Sequence, residues 1–286
     1  MNAIMTAIMM LITGMLRLAA ATIVMLVLGL VAIGAALVPN IPRSVARSIV
    51  RTGCQVLLSA IGVNRSRRGP APGTGTLIVA NHFSWMDIPV VLANWDCAFI
   101  AKSEVRSWPI VGVLAERIGV IFIDRSRSRD LLRVIPLVET ALRNGTSVVL
   151  FPEGTTTDGR RVSRFRSGML QAAVNADASV TPLALSASAD DGETDALCWT
   201  GDETLVANLY RVASLRGARV TTHVAGPISD LGNRKALALR AHFEVEKRFR
   251  PIPRTQERAP ASEGLSSVLA KQNFLPIESS DLEILA

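Results

Sequence analysis

Polar and apolar positions divide this chain sharply. Ala3 to Leu16 is nearly all apolar, Arg17 carries the one charge, and Leu18 to Val38 has Thr22 as its only polar side chain. At about 1.5 Å per residue, the second run covers about 31 Å, the thickness of a bilayer's hydrocarbon core. Two arrangements fit this pattern. One span can cross over residues 18–38 with 3–16 as an interfacial lead-in, or the two runs can form a tight hairpin with Arg17 snorkelling at its turn. A cleaved secretory signal fits poorly, because no basic residue precedes Arg17 and the apolar run is too long. Over residues 44–63, Val45, Ile49, Val50, Val56, Leu57, Ala60 and Ile61 recur at helical spacing, while Arg43, Arg47 and Arg51 fall four apart. That spacing predicts a basic amphipathic helix, able to lie among lipid headgroups or to pack on a globular domain.

Beyond the break at Pro70, Pro72, Gly73 and Gly75, short apolar runs alternate with helical patterns. Strands are predicted at 76–80, 98–101, 120–123, 147–151, 180–185 and 219–224. Helices are predicted from Ser84, over 130–142 with Pro136 inside, over 165–175, and over 233–249 with Asp230 as a candidate N-cap. This rhythm predicts an α/β fold: a mixed, mostly parallel sheet flanked by helices, behind an N-terminal hydrophobic anchor. The organisation is then an anchor at 1–40, a basic interfacial helix unit at 41–69, a catalytic-type domain at 70–250 and a Pro-rich flexible tail at 251–286.

Charge and composition sharpen the picture. The 286 residues carry a formal net charge of +7, and the mean hydropathy is +0.33. A basic chain seeks an anionic partner, nucleic acid or membrane. Aromatic residues make up 5% with a single tyrosine, Tyr210, so a base-stacking surface is poorly supplied and nucleic acid is not expected. Arg43, Arg47, Arg51, Arg65, Arg67 and Arg68 follow the apolar run and nothing basic precedes Arg17. The positive-inside rule then puts the domain on the cytoplasmic face of an inner membrane rich in anionic lipid. Cys54, Cys97 and Cys198 form no C-x-x-C pair, which points away from a disulfide framework or a zinc site.

Three segments carry candidate chemistry. The first is Asn81-His82-Phe83-Ser84-Trp85-Met86-Asp87, at a strand-to-helix turn where α/β sheets bind ligands. Asp87 can orient the His82 imidazole and leave its other nitrogen free as a general base. Alternatively, Ser84-x-x-Asp87 is a capping box and His82 an ordinary core residue. The second is Gly119-Val120-Ile121-Phe122-Ile123-Asp124-Arg125, whose arginine suits phosphate through its planar fork. The third is Phe151-Pro152-Glu153-Gly154-Thr155, a tight turn followed by Arg160, Arg161, Arg164 and Arg166. No phosphate-binding Gly-rich loop, zinc-protease helix or serine elbow occurs.

In order and spacing, N-H-x₄-D, G-x-I-F-I-D-R, F-P-E-G-T and Val180-Thr181-Pro182-Leu183 resemble the glycerolipid acyltransferase family, which includes the 1-acylglycerol-3-phosphate acyltransferases. The resemblance covers about residues 76–185. It implies transfer of a fatty acyl group from acyl-CoA or acyl-carrier protein to a lysolipid hydroxyl, with no metal or prosthetic group. It implies His82 as general base, Asp87 as its orienting partner and Asn81 as a substrate-binding residue beside them. Arg125 would hold the acceptor phosphate, and Glu153, Gly154 and Thr155 would shape the acceptor site. Pro182 would line the acyl site. The family's phosphate-accepting members commonly have arginine after F-P-E-G-T; here Thr156 stands there, with Arg160 or Arg161 as substitutes. The form F-P-E-G-T-T-x-D-G also resembles bacterial members that acylate lyso-ornithine lipid. Lysophosphatidic acid leads, lyso-ornithine lipid is the alternative acceptor, and a non-enzymatic membrane-tethered binding module is the rival of another class.

Overall fold

The computed structural model describes residues 2–37, 42–108, 110–124, 127, 129–192 and 194–252. In chain order the elements are α1 (Asn2–Leu37), α2 (Arg43–Ala60), β1 (Val63–Arg68), β2 (Leu77–Ala80), α3 (Asp87–Asn94), β3 (Ala98–Lys102), α4 (Val111–Ile118) and β4 (Ile121–Ile123). They continue with α5 (Asp130–Arg143), β5 (Val148–Leu150), α6 (Gln171–Ala176), β6 (Val180–Ala189), α7 (Leu205–Ser214), β7 (Ala218–Val224) and α8 (Arg234–Arg248). The strands form one seven-stranded sheet in the order β1-β7-β6-β2-β5-β3-β4. Every pairing is parallel except β6 with β7. The carboxyl ends of β2, β3, β4, β5 and β6 therefore share one edge, and β1 and β7 run the other way.

Alternate residues of each central strand enter different cores, which is why these strands read as continuous apolar runs. Ile78 and Ala80 join Leu58, Val90, Val91 and Val212 from α2, α3 and α7. Leu77 and Val79 join Val138, Leu170, Leu237 and Val245 from the opposite layer.

The structure departs from the periodicity in several places. α1 is one continuous helix, with no hairpin at Arg17. The Arg17 guanidinium donates to the carbonyls of Ala213 and Arg216, each at 3.2 Å, and to that of Leu215. Those groups lie at and just beyond the C-terminus of α7, where backbone oxygens lack helical partners and attract a cation. The basic helix stops at Ala60 because Gly62 turns the chain at φ +77°, and a Cβ there would collide with Arg17. The unit drawn at 41–69 therefore divides, since Val63–Arg68 is a sheet strand paired in register with Ala218–His223. The strand sits at an edge, where charged residues are tolerated and discourage further pairing, so its polar sequence hid it.

The helix expected from Ser84 begins at Asp87. That expected over 165–175 shrinks to α6 behind a short 3₁₀ turn. α8 is capped by Asn233, whose Oδ1 accepts from Lys235 and Ala236, rather than by Asp230. α4 and α7 carried no prediction. Of the tail at 251–286, residues 253–286 lie outside the described residues. Ile252 is buried, and its N–H donates to the Gly159 carbonyl at 2.8 Å.

Candidate active site

His82 follows the end of β2 and Asp87 opens α3, so six residues, 81–86, bridge the sheet edge to a helix N-terminus. His82 Nδ1 lies 2.7 Å from Asp87 Oδ2. The same oxygen accepts the backbone N–H groups of Phe83 and Ser84 at 2.9 and 3.0 Å. Asp87 is fully buried and its Oδ1 makes no hydrogen bond among the described residues. As an acceptor-only carboxylate, Asp87 fixes the His82 proton on Nδ1 and leaves Nε2 as the basic nitrogen. Half of the capping box forms: Asp87 Oδ2 accepts the Ser84 N–H at 3.0 Å, while Ser84 Oγ accepts from Met86 N–H at 3.3 Å instead of from Asp87 N–H. Both readings of the segment are thus partly realised, since Asp87 bonds the turn and the imidazole at once.

The imidazole is wedged in place. It stacks on Phe151 with ring centroids 4.1 Å apart and planes 15° from parallel. Thr157 grips the His82 carbonyl with its N–H at 2.9 Å and its hydroxyl at 3.0 Å. The F-P-E-G-T loop therefore wraps the histidine. From the other side, Trp199 N–H donates to the Phe83 carbonyl at 2.9 Å, and Trp85 Nε1 donates to Asn208 Oδ1 at 2.8 Å. Phe151, Thr157, Trp199 and Asn208 were not picked from sequence as site residues. The leading aromatic of F-P-E-G-T was the one legible signal among them.

Other candidates fall differently. Asn81 is 3% exposed, and its amide bonds the Leu185 backbone at both ends, at 2.9 and 2.7 Å. It ties β2 to β6 and positions the neighbouring histidine rather than facing a substrate. Glu153 points inward and is 4% exposed. Among the described residues neither carboxyl oxygen finds a hydrogen bond of ordinary geometry. Burial pushes its carboxyl up to about 8; the nearby backbone amides of His82 and Ser163 oppose that rise and Asp87 adds to it. It therefore backs the dyad instead of contacting an acceptor. Gly154 sits at φ +82°, a conformation glycine adopts freely, and Thr155 is exposed beside it. Pro182 is buried within β6 opposite Val79, an interior sheet position rather than an open acyl site. Arg160 lies 3.7 Å from Asp158 and 3.9 Å from Asp195, beyond hydrogen-bond range, and its buried Nε has no hydrogen-bond partner among the described residues. Arg125 lies outside the described residues.

No thiol is poised as an alternative nucleophile. Burial pushes Cys54, Cys97 and Cys198 each up to about 12, so all three stay protonated near neutral pH. A cavity of about 770 Å³ lies away from the dyad, along edge strand β4, with Arg43, Arg47, Arg106 and Arg133 among its lining residues.

Comparison with known proteins bears on the family and the fold. Residues 61–186 match the family model described as Acyltransferase. The chain is 34% identical over 176 residues to a 1-acyl-sn-glycerol-3-phosphate acyltransferase of Neisseria meningitidis, covering 61% of this chain and 69% of that one. It is 39% identical over 181 residues to a lyso-ornithine lipid O-acyltransferase of Pseudomonas aeruginosa, covering 62% and 69% respectively. The fold matches the crystal structure of the 1-acyl-sn-glycerophosphate (LPA) acyltransferase PlsC from Thermotoga maritima. The TM-score is 0.65 at 22% identity, over 85% of this chain and 96% of that one. With the histidine–aspartate pair and the F-P-E-G-T loop joined in one site on that sheet, the chain belongs to the glycerolipid acyltransferase family.

Proposed function

We propose that this enzyme transfers a fatty acyl group from acyl-CoA or acyl-carrier protein to the free hydroxyl of a lysolipid, with 1-acyl-sn-glycerol-3-phosphate as the leading acceptor. The observation that carries the reading is the 2.7 Å contact of His82 Nδ1 with the buried Asp87. Nε2 takes the acceptor's hydroxyl proton as the oxygen attacks the thioester carbonyl. The tetrahedral intermediate then collapses, expelling the thiolate, which receives the proton back from the imidazolium. General-base catalysis of this kind contributes about 10²–10⁴ in rate. The thioester is already activated, so the step calls for no metal or prosthetic group.

Lyso-ornithine lipid is the second acceptor. It is favoured by the uncharged Thr156 and by the likeness to the Pseudomonas aeruginosa enzyme named for that lipid. The test supplies both lysolipids with a labelled acyl thioester to membranes carrying the enzyme or its His82→Ala variant. Transfer to lysophosphatidic acid, lost in the variant, is expected. Transfer to lyso-ornithine lipid alone overturns the acceptor, and full activity in the variant overturns the base.

The membrane reading follows from α1. Its Leu11–Val31 stretch is long and apolar enough to cross a bilayer and is 11% buried. Met5, Ile8, Met9, Ile12, Met15, Leu16, Ile23, Leu26, Leu30 and Ile33 stay exposed. Yet Gly14 packs on Ser214, Leu28 on Gly53 and Gly29 on Ile110, so residues 14–29 lie side-on to the arginine-bearing domain. A helix crossing the bilayer would draw those arginines into hydrocarbon, at several kcal/mol each. Embedding the apolar face in one leaflet, with the domain on the cytoplasmic side and its arginines on anionic headgroups, avoids that cost. Cysteines placed at either end of α1 should then both react with a reagent confined to the cytoplasmic side; protection of one end would indicate a crossing helix.

A further inference from the structure

We propose that Arg166 binds the oxyanion of the acceptor's headgroup, phosphate or carboxylate, and so sets which lysolipids are accepted. The inference rests on the acyl-transfer reading above and deepens it. Thr156, directly after the F-P-E-G-T turn, is uncharged. Arg160 already has two carboxylates nearby, Asp158 at 3.7 Å and Asp195 at 3.9 Å.

Arg166 differs from the other arginines of this run. Its N–H donates to the Pro152 carbonyl at 3.0 Å, which staples it to the turn eleven to fourteen residues upstream. Its guanidinium lies against Gly154: a Cβ on that glycine would stand 3.3 Å from Cζ and 3.4 Å from Nε. A side chain at Gly154 would crowd the planar group. Arg166 is exposed and has no carboxylate partner among the described residues. A guanidinium without a carboxylate partner offers two parallel N–H donors to an oxyanion.

Position matches the acceptor's chemistry. Gly154 follows Glu153, which backs the dyad, and Thr157 of the same loop holds the His82 carbonyl. The guanidinium therefore rims the loop that encloses the base. In lysophosphatidic acid the oxyanion is one carbon from the carbon bearing the hydroxyl, so it has to bind beside the dyad and not on it. In lyso-ornithine lipid a carboxylate can use the same fork.

The test measures acyl transfer by the full-length enzyme in mixed micelles. The acceptors are lysophosphatidic acid, lyso-ornithine lipid and the neutral monoacylglycerol; the variants are Arg166→Gln and Arg166→Lys, with Arg164→Gln as an exposed control. Losing a hydrogen bond to a charged group should raise KM for an anionic acceptor about 10- to 100-fold. The thioester KM and any transfer to monoacylglycerol should stay unchanged, Arg166→Lys should recover part of the loss, and Arg164→Gln should match wild type. An unchanged KM for both anionic lysolipids in Arg166→Gln overturns the assignment. So does an equal loss with monoacylglycerol, which would mean that Arg166 only shapes the loop. A wild-type enzyme that acylates none of the three would instead refute the acyl-transfer reading itself.

Discussion

Glu153→Gln isolates the most perturbed carboxyl of the site. Glu153 is buried behind the dyad, and its carboxyl is pushed up to about 8 from an ordinary 4.5, chiefly by loss of solvent. Its folded value lies above its unfolded one, so between those two the native state holds a proton that the unfolded chain has released. The stability this group supports is fully present below about pH 4.5 and is lost as pH rises through about 8. Each unit of that window is worth about 1.4 kcal/mol, so the ceiling is about 5 kcal/mol. Glutamine keeps the shape but cannot ionise. The expected result is a difference curve, wild type minus Glu153→Gln, that falls steadily from about pH 4.5 to 8 and then flattens. For a chain of this size, thermal melts of detergent-solubilised protein should show the wild type losing about 2–4 °C per pH unit relative to the variant. Parallel melting curves across this range would refute the argument, for they would mean that the carboxylate is solvated or paired in the native state.

Three further outcomes follow from the same geometry. Asp87→Asn should lower kcat by about 10²–10⁴ with little change in acceptor KM, because an amide no longer holds the His82 proton on Nδ1; steady-state kinetics against both substrates decide this. Phe151→Ala removes the ring stacked on His82 and leaves a core cavity, costing about 3–5 kcal/mol. Phe151→Leu should retain more stability yet still lower kcat, and a melt paired with kinetics on both variants separates the two effects. Arg17→Leu leaves the carbonyls of Ala213, Leu215 and Arg216 without their shared donor; it should cost about 1.5–3 kcal/mol in thermal melts and free α1 to limited proteolysis.

What the sequence made legible was whatever is local or periodic. The central strands were readable because both faces are buried, and the histidine–aspartate pair because its spacing spans a single turn. What escaped depends on partners distant in sequence. β1 carries Arg65, Arg67 and Arg68 and no apolar alternation, so only its pairing with β7 reveals it as a strand. Arg160 reads as a free cation until Asp195 is brought beside it. Asn81 and Glu153 carry polar side chains in motifs that resemble a substrate site, yet both turn inward. One ties two strands together and the other stands behind the base. Arg17 reads as a hairpin turn because nothing nearby announces that its partners lie about 200 residues on, at the end of α7.

These corrections converge on why the two leading motifs work together. N-H-x₄-D and F-P-E-G-T stand about 70 residues apart in the chain, but they leave the carboxyl ends of β2 and β5, which are adjacent and parallel. Neighbouring parallel strands deliver their following loops to the same edge of the sheet, about 5 Å apart. The first residue of one motif can then stack on the histidine of the other, and Thr157, two residues past the second motif, can hold that histidine's carbonyl. The imidazole is thereby constrained on three sides: by a carboxylate at Nδ1, by a ring on its face and by the loop at its backbone. Among the described residues Nε2 makes no hydrogen bond, and it is the nitrogen that the proposed general-base step uses. The imidazole is thus aimed by the sheet register itself, and under the proposed mechanism a change that shifts β5 against β2 should impair acyl transfer without touching His82 or Asp87.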